Sequence, residues 1–308
     1  MKKTGYTAIA LLMLALLSGN AALAQEQQLL KDVRELSSDK YQGRQTGTPG
    51  NQLAADYIIG RFKTLGLASY NGTYRQKFPV KVQEKKVTGT NLIGYIAGKK
   101  TEAIVISAHY DHLGVFNNEV FNGADDNASG VAGILSIASY FSRHQPEHTL
   151  IFAAFDAEET GCKGAKAFVD HPPLPLTQII VNINLDMISH NDKGELYVAG
   201  TYYYPQLKKY LVTSTPHLKL LTGHDNPTLP LSDNWTNQSD HYAFHQKKIP
   251  FLYFGVEDHK DYHRPTDDFE NINQSFLKEA VNAIQEVVIN IDRGLTLQKK
   301  FKRKQIMK

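Results

Sequence analysis

Four apolar runs of strand length fix the frame of this chain: AIVISAH (Ala103 to His109), TLIFAAF (Thr149 to Phe155), QIIVNINL (Gln178 to Leu185) and IPFLYFG (Ile249 to Gly255). Each is apolar almost throughout, so it must be covered on both faces, as the strands of a parallel sheet are. Around them, apolar residues recur at helical spacing from Glu26 to Leu36, Asn51 to Leu65, Ala128 to Phe141, Gly164 to Val169 and Gln274 to Ile291. The second of these opens on TGTPG and closes at Gly66, a start and a stop signal respectively. Strands alternating with helices predict an α/β fold, a mostly parallel mixed sheet with helices on both faces. In 308 residues, 42% of them hydrophobic, there is no internal repeat and no low-complexity linker, so one domain holds the pattern.

The two ends differ from this body. Lys2 and Lys3 precede an apolar run from Ala8 to Leu17, and Ala22-Leu23-Ala24 forms a small-x-small cleavage site. Residues 1–24 therefore read as a cleavable signal peptide, the run being too short for a membrane span of about 20 residues. The body expected at 25–298 would then be secreted or periplasmic, without stable membrane association. Lys and Arg total 34 against 31 Asp and Glu, but two of the basic residues are Lys2 and Lys3 and six lie in the tail 299–308. The body is thus acidic, the tail reads as a solvated terminus, and no nucleic-acid partner is indicated. Cys162 is the only cysteine, so no intramolecular disulfide forms, and it reads as a small buried filler rather than a nucleophile.

Chemistry gathers where the strands end. In an open α/β sheet, ligands bind outside the carboxyl ends of the strands. The first run ends in His109, with Asp111 and His112 behind it; the second leads into Asp156, Glu158 and Glu159; the third into Asp186; the fourth toward Asp261, Tyr262 and His263. GADDNASG sets Asp125 and Asp126 in a Gly-flanked turn before a helix. Carboxylates converging on one rim repel unless a cation sits among them. Mixed histidine and carboxylate donors without a thiolate suit zinc better than calcium or magnesium. Three ligating carboxylates and one hydroxide would balance two Zn²⁺ ions, which a shared carboxylate holds about 3.5–4 Å apart. By contrast His144, His148, His171, His217 and His224 lie in polar contexts and read as surface residues.

The set HYDH, GADDNASG, FDAEE, NLDMI and YHRPTDD, in this order, resembles the co-catalytic zinc aminopeptidases typified by secreted bacterial leucyl aminopeptidases. The resemblance begins at LSSDKYQGRQTGTPGNQLAADYI and runs through SDHYAF to the last helix. It implies that His109, Asp126 and Asp186 hold one zinc and Asp126, Glu159 and His263 the other, with a cis peptide after Asp126. It further implies that Asp111 orients the His109 ring, Glu158 is the general base and acid, and Tyr262 donates to the developing oxyanion. The activity implied is removal of amino-terminal residues from peptides with a free amino terminus. Rival expectations are a mono-zinc glutaminyl cyclase, a di-zinc carboxypeptidase, for which the chain is short of an inserted domain, and a non-catalytic binding module of the same fold. TYYYPQLKKY and the loop around Asn234 and Trp235 are read either as the lining of a side-chain pocket or as ordinary packing. Oligomeric state is not legible.

Overall fold

The protein, described here from a computed structural model, is an α/β domain in which residues 23–295 are placed. The basic tail and all of the leader except Leu23 and Ala24 lie outside the described residues. In chain order the helices are α1 (23–36), α2 (Pro49–Thr64), α3 (Gly130–Phe141), α4 (Lys163–Asp170), α5 (His241–Gln246) and α6 (Gln274–Gly294). The strands are β1 (Ala68–Ser69), β2 (Arg75–Val82), β3 (Lys85–Ile96), β4 (Lys100–His109), β5 (Gly114–Phe116), β6 (Glu119–Phe121), β7 (His148–Phe155), β8 (Ile179–Leu185), β9 (Glu195–Ala199), β10 (Lys219–Thr222) and β11 (Phe251–Gly255). Among the described residues, no helix is long and apolar enough to cross a membrane.

The four apolar runs become β7, β4, β8 and β11, adjacent and mutually parallel at the centre of a sheet ordered β1-β3-β7-β4-β8-β11-β9-β10, with β2 paired to β3. The sheet is antiparallel where β3 meets β7 and where β9 meets β11. Alternate residues of β4 serve opposite faces. Ile104, Ile106 and Ala108 join the core beneath α1, α2, α3 and α6, while Ala103 and Val105 pack with Phe168 of α4 and Phe244 of α5. Helices therefore cover both faces, and the continuous apolar runs follow from that double burial.

Local signals set the element ends. The Thr48 side chain accepts the Asn51 amide at the start of α2, with Pro49 at its first turn, and the Asn273 side chain accepts the Phe276 amide at the start of α6. Gly130 matters for the site: a Cβ there would lie 2.5 Å from the Leu185 carbonyl, so only glycine lets α3 sit against the end of β8.

Two histidines read from sequence as surface residues are not. His148 opens β7 and is buried, its Nδ1 2.9 Å from the Asp292 carbonyl and 3.2 Å from Asp292 Oδ1. His224 is half-buried and stacked on Trp235 at 3.8 Å. Their sequence neighbours are polar, while the contacts that cover them come from distant segments. His144, His171 and His217 are exposed.

Candidate metal centre

Because β4, β7, β8 and β11 are parallel and in register, their carboxyl ends form one rim: His109 lies opposite Phe155, and Leu185 opposite Phe254. The residues that follow turn back over the sheet. Ala157, Met187 and His263 all adopt left-handed backbone, with φ of 60°, 58° and 54°, and each is next to or among the rim's acidic and histidine residues. Non-glycine residues rarely adopt this conformation, and it concentrates at functional sites. The peptide between Asp126 and Asn127 is cis, and the Asn127 amide is fixed on the Leu185 carbonyl.

Asp126 stands between two groups. Its Oδ1 is 3.3 Å from His109 Nε2, which is also 3.2 Å from Asp186 Oδ1. Its Oδ2 is 3.1 Å from His263 Nε2, which in turn is 3.4 Å from Glu159 Oε2. A further ring joins the second group: His112 Nδ1 is 2.8 Å from Glu159 Oε1 and 3.6 Å from Asp126 Oδ2. His109, Asp126 and Asp186 form one set of donors close enough for a single ion, and His112, Asp126 and Glu159 form another. All are nitrogen or carboxylate oxygen, a donor set that fits zinc.

The electrostatics are those of charge packed beyond what solvent would support. Burial opposes a charged His109, but Asp186 and Asp126 outweigh it and hold the ring well above the ordinary imidazole value. Burial likewise opposes the Asp126 carboxylate, yet His112, His109 and His263 hold it well below the usual range. His263 is pushed up to about 10, burial being overcome by Asp126 and Glu159. Glu158 shifts opposite to Asp126: burial, with Asp240 and Asp186, lifts it well above an ordinary glutamate against the opposing pull of His109. Burial and Asp126 would raise its neighbour Glu159, but His112 and His263 hold it below the usual glutamate value, and adjacent carboxylates driven in opposite directions are suited to different tasks.

The supporting residues differ from expectation in one respect. His109 Nδ1 lies 3.1 Å from the backbone carbonyl of Asp111, with the Asp111 carboxylate 3.8 Å away. The ring is thus oriented by the peptide group, which directs Nε2 to Asp126 and Asp186. The Asp111 carboxylate instead accepts the amides of Glu158 at 3.0 Å and Glu159 at 3.4 Å, fixing the backbone that carries both glutamates. Asp267 accepts the amides of Asp125 and Asp126, and Asp125 takes the Ser189 amide and hydroxyl and lies 3.0 Å from His259 Nε2. Asp156 is occupied by Thr46, Asn51 and the Thr90 amide and belongs to neither donor set. Asp261 bonds Thr266 and lies 3.1 Å from His190 Nε2.

Arg44 and Asp240 take parts that no local pattern announces, and Cys162 and His112 take parts beyond those read from sequence. Arg44 is fully buried and donates to the carbonyls of Leu36, Tyr110, Asn122 and Gly123, clamping the loop that leads into Asp126. Asp240 is buried near His109 and pushed up to about 7 by loss of solvent. Cys162 is half-buried and its thiol donates to Glu158 Oε1 at 3.3 Å, so it is more than filler. His112 meets Glu159 and Asp126 at the second donor group. A neighbouring acidic or glycine-rich motif flagged each region, but only the fold could show which atoms meet.

Glu159 divides two cavities. A polar cleft of about 60 Å³ holds His109, Asp126, Glu158, Asp186, Tyr262 and His263, with Trp235, Met187 and Tyr253 at its side. A larger, mainly apolar one of about 390 Å³ lies beyond, between Thr46, Val82, Leu113, Phe116 and Phe121. Trp235 thus faces the site. Tyr203 and Tyr204 of the TYYYPQLKKY segment pack instead against His245 in the core.

Donor clusters of this composition at the carboxyl rim of an α/β sheet place the chain in a class of hydrolytic metalloproteins. Residues 91–288 match the profile of peptidase family M28, and the chain belongs to that family. It is 30% identical to an aminopeptidase of Bacillus subtilis, YwaD, over 233 residues, 70% of this chain and 49% of that protein. The chain spans about half the length of the curated relatives it matches. Its fold is shared with a zinc aminopeptidase from Bacillus subtilis, at a TM-score of 0.68 and 18% identity over 90% of this chain and 98% of that one. It is shared equally with the glutaminyl cyclase of Porphyromonas gingivalis, at a TM-score of 0.72 and 18% identity over 85% and 97% of the two chains.

Proposed function

We propose that this protein is a secreted or periplasmic zinc aminopeptidase that binds two zinc ions and removes residues from peptides with a free amino terminus. The observation that carries the reading is the position of Asp126, whose two oxygens face different groups of donors. His109 and Asp186 would hold one ion with Asp126, and Glu159 and His263 the other. Bound there, zinc supplies Lewis acidity toward the scissile carbonyl and lowers the pKa of water toward neutrality.

The chain's own groups then account for the proton movements. Glu158 lines the cleft without belonging to either donor set, and its raised pKa suits a group that takes a proton from the attacking water and returns it to the leaving amine. Asp111 holds Glu158 in place through its amide. Tyr262, stacked on His263 at 3.9 Å, is assigned to donate to the oxygen that gains charge. The narrow cleft would take the first residue beside Trp235 and Met187, and the apolar cavity past Glu159 the continuing peptide. Residues 1–24 would be removed on export, leaving Gln25 as the amino terminus.

Two measurements test this together. Elemental analysis should find two zinc ions per chain, and chelation should abolish hydrolysis; full activity without metal would refute the reading. Peptides with a blocked amino terminus should be cleaved far more slowly than free ones, since the amine contact that positions the scissile bond is lost. The shared fold also supports a glutaminyl cyclase. That alternative wins if peptides with amino-terminal glutamine release ammonia by ring closure while no amide bond is hydrolysed.

A further inference from the structure

Beside the five residues assigned to the metals lies a sixth, His112, three positions beyond His109 and buried to 1% exposure. Its ring lies against Gly123, where a Cβ would come within 2.6 Å of the imidazole Cγ and Cδ2. Glycine at 123 is therefore what gives the ring its place. Of its two nitrogens, Nε2 is buried with no hydrogen-bond partner, while Nδ1 points at Glu159 Oε1 (2.8 Å) and Asp126 Oδ2 (3.6 Å). His263 approaches the same two carboxylates through its Nε2 from another side, the ring centroids being 5.9 Å apart.

We infer that His112 Nδ1 is a metal ligand, so that the ion on the Glu159 side is held by His112, His263, Glu159 and Asp126. The inference rests on the two-metal reading and adds an asymmetry to it. The His109 side offers one imidazole and two carboxylates, three protein donors with room for a fourth group. The Glu159 side offers two imidazoles and two carboxylates. Three protein ligands with an open position mark catalytic zinc, and four protein ligands mark zinc that is retained. The Glu159 side therefore fills first and empties last, and the His109 side is where water or substrate exchanges.

The competing role for the same ring is donation of an Nδ1 proton to Glu159 with no metal bond. X-ray absorption of the wild-type protein separates the two. Loaded with one equivalent of zinc, it should show about two imidazoles per ion, falling to an average of about 1.5 at two equivalents. One imidazole at both loadings would overturn the inference. Chelator competition on His112→Asn gives an independent reading, because asparagine keeps an N–H near the position of Nδ1 but is a poor zinc ligand. Loss of affinity for the tighter ion beyond the roughly 10- to 100-fold that an outer partner of a ligand commands supports ligation, and a smaller loss or none refutes it. A wild-type protein that saturates at one ion would refute the two-metal reading itself and the asymmetry with it, an outcome distinct from two ions bound with one imidazole each.

Discussion

At its first residue β7 buries His148 against Asp292, and just past its last residue it carries Asp156, Glu158 and Glu159. The same residue types meet opposite fates at these two ends. Asp292 accepts the amides of Glu147 (2.9 Å) and His148 (2.7 Å) with its two oxygens, while its own carbonyl lies 2.9 Å from the His148 ring. Nothing is left over. At the other end His109, His112 and His263 face Asp126, Glu159 and Asp186, and each donor is shared among several acceptors. A buried carboxylate supplied with donors by its own chain is a joint; one supplied only with rings and further carboxylates is a place for a cation.

The largest effect should come from the one rim glutamate outside both donor sets. Glu158→Gln keeps size and loses only proton transfer, so turnover should fall by about 10² to 10⁴ while zinc content and melting temperature stay near wild type. Loss of zinc in this variant would move Glu158 into the ligand set and erase the distinction between the adjacent glutamates.

Glu159→Gln should give the converse, a weaker effect on the chemistry but a direct one on the metal. We expect zinc to bind about 10- to 100-fold more weakly, the melting temperature to become sensitive to mild chelation, and activity to recover in part on adding zinc. Counting metal and turnover on both variants in parallel decides it. Full zinc occupancy in Glu159→Gln would remove the basis for a second ion.

Much of this contrast was legible in the sequence where local pattern decides structure. The four central strands and the helices over them were readable because each strand is apolar on both faces, and their order placed His109, Glu158, Glu159 and Asp186 on one rim. The hairpin β2–β3 was not read: Phe78, Val80 and Val82 do alternate inward, but Pro79 within the run and the flanking polar residues mask the period. β9 and β10 are short and lie at the sheet's margin. In the site, residue identity was readable and atomic direction was not. Sequence gave no sign that Asp111 would hold the glutamate backbone instead of the His109 ring, that Arg44 would be spent on four carbonyls, or that His148 and Asp292, 144 positions apart, would meet. Such contacts depend on how distant segments pack.

The smallest effect expected lies at the other end of β7 and should leave chemistry untouched. Burial alone would raise the Asp292 pKa, but His148 and the two amides hold it below the usual carboxylate value. A group whose folded pKa is depressed contributes stability above its unfolded pKa of about 3.9, and that contribution fades as pH falls through the lower folded value. Asp292→Asn sets an amide NH₂ against one of the donors, the Glu147 or the His148 amide, and should cost about 1–3 kcal/mol at pH 7. The gap from wild type should narrow below about pH 4, where the wild-type carboxylate also gains a proton. Urea unfolding of both proteins across that pH range, in chelator so that zinc loss does not intrude, measures it. Turnover and zinc content of the zinc-loaded variant at pH 7 should match wild type. A gap that stays constant with pH would show that the carboxylate's charge contributes nothing to the joint, and a loss of zinc would show that the two ends of β7 are coupled rather than independent.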